Sequence, residues 1–140
     1  MSNQVRPSVL LVSIDALKPD LVIRSEELGL SVPHLRHFLE HGTYASRGVK
    51  SVFPTFTYPC HQSIITGTYP STHGIHTNKL YDPEGIYQDA WYWYVSDLVP
   101  NLWGCAKSSG YLSANIAFPS SVGARADYNI PEFWRDGTAL

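Results

Sequence analysis

Apolar and polar positions alternate along the chain in blocks that suit strands and helices in turn. The run Ser8-Val-Leu-Leu-Val-Ser-Ile14 is leucine-rich and β-branched and stops at Asp15. Such a run reads as a buried central strand whose C-terminal end carries a carboxylate. Pro19 and Asp20 then open a helix toward Leu28, closed by Gly29. A second helix is predicted over Pro33–His41, with Leu35, Phe38 and Leu39 as its apolar stripe and Gly42 as its cap. Tyr44 to Val52 reads as extended, and Phe53-Pro54 ends it. A short helix starts near Thr57, with Pro59 in its first turn, Ile64 and Ile65 as apolar positions, and Gly67 behind it. Asn101 to Ser109 is helical by pattern with Gly110 as cap, and Tyr111 to Ala117 returns as a strand. Trp91-Tyr-Trp-Tyr94 breaks the alternation and reads as an excursion over the sheet. Alternating strands and helices predict an α/β fold, a sheet with helices on both faces.

Composition narrows the function classes. The 140 residues are 44% hydrophobic with a formal net charge of -2, enough apolar material for one ordinary core. Near-neutral charge argues against a nucleic-acid polymer or an anionic membrane as main partner, whereas a small phosphorylated substrate needs only local positive charge or metal. Cys60 and Cys105 form neither a C-x-x-C pair nor a disulfide framework, and no stretch approaches the ~18 apolar residues of a membrane span. Both features predict a cytoplasmic protein.

Three ordered pieces carry candidate chemistry: Ser13-Ile-Asp15, Phe53-Pro-Thr-Phe-Thr-Tyr-Pro-Cys-His61, and His73-Gly-Ile-His-Thr-Asn-Lys-Leu-Tyr-Asp82. In open α/β sheets ligands collect beyond the C-terminal ends of strands, where Asp15 is expected. Thr57 is expected at a helix N-terminus, whose unpaired N–H groups and positive dipole end suit a phosphoryl group. A hydroxyl there can attack phosphorus when a divalent metal held by Asp15 lowers its pKa, and Asn78 can donate to a non-bridging oxygen. Blander readings stand beside these: Asp15 or Thr57 as a plain helix cap, and Tyr58 packed in the core.

Here the sequence resembles a known family. Leu11-Val-Ser-Ile-Asp15, Phe53-Pro-Thr-Phe-Thr-Tyr-Pro59, Thr66-Gly-Thr-Tyr-Pro70 and His73-Gly-Ile…Asn78-Lys-Leu-Tyr-Asp-Pro83 look like the opening signature of the type I phosphodiesterase/nucleotide pyrophosphatases. These belong to the alkaline phosphatase superfamily. Trp91-Tyr-Trp-Tyr94, Phe118-Pro-Ser-Ser-Val-Gly123 and Asp127-Tyr-Asn-Ile-Pro-Glu132 resemble its bacterial members, so the likeness covers nearly the whole chain. The resemblance implies that residues 1–140 form a single partial catalytic domain, the N-terminal portion of an alkaline-phosphatase-like core. It implies Asp15 as a metal ligand, Thr57 as nucleophile and metal ligand, and Tyr58 as an aromatic that stacks on a nucleobase. Asn78 matches the side chain that steadies the phosphate oxygen, and Lys79 stands where some members contact phosphate. The implied reaction is hydrolysis of phosphodiester or pyrophosphate bonds through a phosphothreonine intermediate, with two zinc ions in the full-length parent.

Departures from the family pattern qualify this. Cys60 replaces the usual Asn or Ser, and Phe56 stands where some nucleotide-cleaving members have Lys, which weakens a nucleotide as substrate. The family's later metal ligands, an Asp-x-x-x-His pair, an Asp-His pair and a late His, find no match, so the chain reads as truncated at its C-terminus. Rival readings are a phosphomonoester or phosphonate hydrolase of the same superfamily, and a non-catalytic fragment. Exposed sheet edges would favour self-association. His34, His37 and His41 share one helix face but read as a polar outer surface, His61 as bonded inside the fold, and His73 as serving the turn at Gly74. Cys60 is followed by neither the Arg of a cysteine phosphatase nor the pattern of a sulfatase.

Overall fold

The computed structural model describes residues 7–86, 91, 93–132, 134–135 and 138–139, the last four by backbone only. The chain divides into two compact units, 1–49 and 50–140.

The first unit holds two helices, α1 (Asp20–Ile23) and α2 (Pro33–His41). Pro33 starts α2 because its fixed φ and missing N–H suit a first helical position. Gly42 N–H closes it on the carbonyl of Phe38, as the sequence predicts. α1 is much shorter than expected and continues as turns to Gly29. There the N–H groups of Leu30 and Gly29 bond the carbonyls of Ser25 and Glu26, a Schellman closure. Leu35 and Leu39 are half-buried, but Phe38 is exposed and does not belong to the covered stripe. His34, His37 and His41 are exposed, and His41 Nδ1 meets the carbonyl of His37 at 3.0 Å, the outer surface expected of them.

One predicted strand and one predicted extended segment are not formed. Residues 8–14 form no strand, and Val9 and Leu10 are 92% and 86% exposed. The apolar pattern supplies faces for burial, but a strand exists only where a second strand completes its ladder, and the described residues of the unit contain none. Residues 44–52 likewise stay irregular, turning at Ala45–Gly48 through the Gly48 N–H to Ala45 carbonyl bond.

The second unit carries α3 (Thr57–Thr66), α4 (Pro70–His73), α5 (Leu102–Ser108) and four short strands, β1 (Ala114–Ile116), β2 (Tyr128–Ile130), β3 (Trp134–Arg135) and β4 (Thr138–Ala139). β1 and β2 pair in parallel with Asn115 opposite Asn129, whereas β3 and β4 are antiparallel. Helices with a parallel strand pair give the expected α/β class, although β1 occupies only three residues of the strand predicted over 111–117. α3 ends at Gly67 and α5 at Ser108, followed by the predicted Gly110. Asn101 caps α5 by accepting from the N–H of Gly104 at 3.0 Å.

The core is small: Ile65, Trp103, Phe118 and Ala124, with Val95 and Ala126 packed against it. Trp103 meets Phe118 edge to face at 5.7 Å. Burial of such side chains contributes roughly 1.5–3 kcal/mol each. Beside them lies a buried polar network. Gln62 is fully buried; its Nε2 donates to the carbonyl of Ser120 at 2.8 Å and its Oε1 accepts from the N–H of Ser96 at 3.0 Å. One side chain thus ties α3 to segments 34 and 58 residues away. Asn115 Nδ2 donates to Ser121 Oγ at 2.9 Å and to Asn129 Oδ1 at 2.6 Å, closing β1 and β2 onto the loop between them.

Candidate functional site

Thr57 is the first residue of α3. The preceding Phe56 is extended (φ −94°, ψ 158°) and makes no side-chain cap bond. Pro59 brings no N–H to the first turn, and the N–H of Cys60 makes the first helical bond, to the carbonyl of Phe56 at 3.1 Å. The half-buried Thr57 is therefore inside the helix, not its N-cap.

Asn78 joins this helix start from 20 residues away: its Oδ1 accepts from the N–H of Tyr58 at 3.0 Å. That bond fixes the orientation of the amide, because only the oxygen can accept. Nδ2, the donor end, makes no hydrogen bond to the described residues. Sequence reasoning gave Asn78 a donor's role, and the structure adds that its other end is anchored to the helix that begins at Thr57.

Lys79 follows Asn78 and is exposed, with Nζ 4.9 Å from the centroid of the Trp91 ring. The two residues also form an isolated antiparallel bridge. Tyr58 is only 3% exposed, its ring meeting Trp91 edge to face at 5.9 Å and Trp93 at 6.2 Å. A base-stacking ring needs an open face, and the ring of Tyr58 is packed by its own chain. The expectation of stacking at Tyr58 is corrected accordingly: the two tryptophans take that contact. Tyr92, the remaining aromatic of this group with Tyr94, lies outside the described residues.

Two histidines stabilise the ground beneath. His61 Nδ1–H donates to the carbonyl of Thr57 at 2.7 Å, and its ring meets the edge of Phe118. It is bonded inside the fold, as expected. His73 is 1% exposed; its Nδ1 accepts from the N–H of Ile75 at 3.2 Å, so Nε2 carries the proton toward Ser63 Oγ at 3.0 Å. Burial pushes its imidazole below the ordinary value; neighbouring His76 adds to this, against backbone hydrogen bonds that raise it. His73 thus serves the Gly74 turn, as predicted, and also joins α4 to α3. Gly74 itself has φ 80°, the left-handed conformation that favours glycine.

Asp15 belongs to the first unit. It sits in the turn closed by the Leu17 N–H to Ile14 carbonyl bond, followed by Ala16 at φ 59°. A left-handed alanine costs roughly 1–2 kcal/mol, so this turn is held in a strained form. Asp15 is exposed, and the strand expected to end at it is not formed. Thr57, Tyr58, Asn78 and Lys79 come together in the second unit. No group of three His, Cys, Asp or Glu side chains able to hold a metal occurs among the described residues. Trp91, Trp93 and Gln62 were not picked out as site residues. The aromatic run was visible in the sequence, but its contact with Lys79 joins residues 12 apart and has no local signal.

The comparisons with known proteins agree with the motif order. A family described as type I phosphodiesterase / nucleotide pyrophosphatase matches residues 9–139. The human bis(5'-adenosyl)-triphosphatase ENPP4 is 41% identical over 81 residues, covering 58% of this chain and 17% of the relative. Its mouse counterpart is 42% identical over 81 residues, with 58% and 16% covered. Human ectonucleotide pyrophosphatase/phosphodiesterase family member 1 is 32% identical over 126 residues, 82% of this chain and 12% of the relative. The chain therefore spans less than a fifth of the length of these relatives. The prefix ecto- in the last name denotes the outside of the cell, which overturns the cytoplasmic expectation. That expectation rested on cysteine usage and missing apolar spans. No helix among the described residues is long and apolar enough to cross a membrane, but this does not assign a compartment.

Proposed function

Since the chain belongs to the type I phosphodiesterase / nucleotide pyrophosphatase family, which has the alkaline-phosphatase-like fold, we propose that it is part of the catalytic domain of a hydrolase of phosphodiester or pyrophosphate bonds. The observation that carries this reading is the bond from the Tyr58 N–H to Asn78 Oδ1, which fixes a hydroxyl and an amide donor to one helix start. A phosphoryl group there meets the positive end of the α3 dipole, the Thr57 hydroxyl, Asn78 Nδ2 and the Lys79 ammonium.

In the proposed reaction Thr57 Oγ1 forms a bond to phosphorus while the bond to the leaving oxygen breaks. The hydroxyl proton passes to water, and the leaving oxygen takes a proton from water. A second water then cleaves the Oγ1–phosphorus bond and restores the hydroxyl. Asn78 Nδ2 donates to the non-bridging oxygen as charge gathers on it. In this scheme His61 holds the first turn of α3 through its Nδ1–H bond to the Thr57 carbonyl.

Zinc fits these residues only in part. Asp15 and Thr57 offer oxygen donors, but zinc takes four ligands, and the described residues contain no group of three candidates. The described residues hold no such group for the two ions that the family resemblance implies. The substrate class is a small phosphoric ester or anhydride. Nucleotides fall within it, as the names of the relatives suggest, although Phe56 supplies no cation beside Thr57.

Replacement of the nucleophile in the full-length protein tests the reading. Thr57→Ala removes the attacking oxygen, and hydrolysis of bis(p-nitrophenyl) phosphate falls to background, whereas Thr57→Ser retains measurable turnover. Alanine-variant turnover near the wild-type rate would overturn the assignment.

A further inference from the structure

Trp91 closes a circuit of contacts around the start of α3. The Tyr58 backbone bonds Asn78, and Asn78 is joined in sequence to Lys79. Lys79 pairs with Trp91 through a backbone bridge and lays Nζ 4.9 Å from its ring centroid. Trp91 returns to Tyr58 through an edge-to-face contact at 5.9 Å, with planes 85° apart. Each link uses a different interaction, so the start of the helix, the amide and the ammonium are held as one body.

We infer that Trp91 is a positioning residue for phosphate recognition, fixing Lys79 beside Asn78 at the start of α3. The physical argument is entropic and electrostatic. A lysine side chain in water samples many rotamers, and ordering it on phosphate costs binding free energy. An indole face attracts an ammonium through its quadrupole more strongly than any other aromatic ring. The indole narrows the range of the exposed Lys79 side chain, and the ordering is done before phosphate arrives. The backbone bridge sets the same register for both residues, and Tyr58 braces the indole from the helix side. The inference rests on the proposed reading of Lys79 as a phosphate contact, and it adds a residue that touches neither phosphate nor the reacting atoms.

The test is a double-mutant cycle in the full-length protein, read as inhibition of bis(p-nitrophenyl) phosphate hydrolysis by inorganic phosphate, with kcat, KM and melting temperature recorded together. Trp91→Leu weakens phosphate roughly three- to tenfold and raises KM more than it lowers kcat. In the Lys79→Met background, which keeps the side-chain length without the charge, Trp91→Leu adds no further loss. An equal loss in both backgrounds overturns the inference, because Trp91 then acts through the fold alone. So does unchanged phosphate binding in Trp91→Leu when Lys79→Met by itself weakens it, an outcome that leaves the reading of Lys79 standing. Unchanged binding in Lys79→Met removes that reading, and the role of Trp91 with it. Should Trp91→Leu fail to fold, Trp91→Phe decides: its weaker face weakens phosphate about two- to threefold, and binding equal to wild type overturns the proposal.

Discussion

The two units treat their apolar residues in opposite ways. In the second, Ile65, Trp103 and Phe118 are buried, and Gln62, His73, Ser96, Asn115, Ser120 and Ser121 are buried with them. In the first, Val9, Leu10, Val12, Ile14 and Phe38 are all more than half exposed, and the described residues include no buried hydrophobic one. Hydrophobic content does not explain the contrast, because five of the six residues 9–14 are apolar. What differs is the supply of backbone partners. The second unit joins its interior segments through side chains: Gln62 alone accepts from one segment and donates to another. A buried polar group without a partner costs roughly 1–3 kcal/mol, so a network of this kind fixes which segments meet. Among the described residues of the first unit, Ser25 is the one buried polar side chain. It is fully buried and leaves Oγ without a hydrogen bond.

The largest test of this contrast is whether the ordered helix start in the second unit acts on the barrier or only on the fold. Asn78→Ala removes the acceptor of the Tyr58 N–H and the donor meant for phosphate. If the proposed role holds, kcat per folded molecule in the full-length protein falls by about 10²–10³ while the melting temperature stays within a few degrees. A large melting shift with unchanged kcat would make Asn78 a fastening for α3 and nothing more.

Legibility in the sequence follows the same division. Features decided within a few residues were readable: Pro33 and Gly42 bracket α2, Gly67 closes α3, and Asn101 and Gly110 bracket α5. The order of Thr57, Tyr58, Asn78 and Lys79 was readable too, and the Tyr58 N–H to Asn78 Oδ1 bond brings the two segments together. Pairings across distance were not readable. Residues 8–14 have every local property of a buried strand and form none, since a ladder needs a partner that the local pattern does not specify. Tyr58 could be called aromatic from the sequence, but whether its faces are open depends on Trp91 and Trp93. Gln62 looked like an ordinary helix residue, although its two bonds span 34 and 58 positions.

A smaller effect comes from His73, the titratable member of the buried network. Its folded pKa lies below its ordinary value of 6.5, chiefly through burial. The unfolded chain therefore binds the proton more readily, and stability falls as the pH drops below about 6.5 toward the folded value. Above that value the contribution is fully present. The melting temperature should decline on acidification from pH 7.5 to 5.5, and His73→Gln should flatten that part of the profile while lowering stability at pH 7.5. A profile equally steep in the variant would place the acid sensitivity elsewhere, and the second unit would lose its claim to a proton-sensitive interior.

The smallest expected effect lies in the first unit and bears on the contrast most directly. Val9 is 92% exposed, so Val9→Asp exchanges one solvated side chain for another. Substitutions at such positions change stability by less than about 0.5 kcal/mol. A strand in a covered parallel sheet behaves differently: it would bury the carboxylate without a partner, at a cost of several kcal/mol. The measurement is the denaturant midpoint of this chain and of its Val9→Asp variant, with sedimentation velocity on both. We propose that the exposed run also promotes self-association, because contiguous exposed apolar side chains are buried by contact with a second copy. The variant should then sediment as the smaller species at concentrations where the parent chain associates, with the two midpoints unchanged in dilute solution. A midpoint shifted by several kcal/mol in dilute solution would mean that residues 8–14 are covered after all. The predicted central strand would return, Asp15 would again stand at a strand end, and the difference between the two units would vanish.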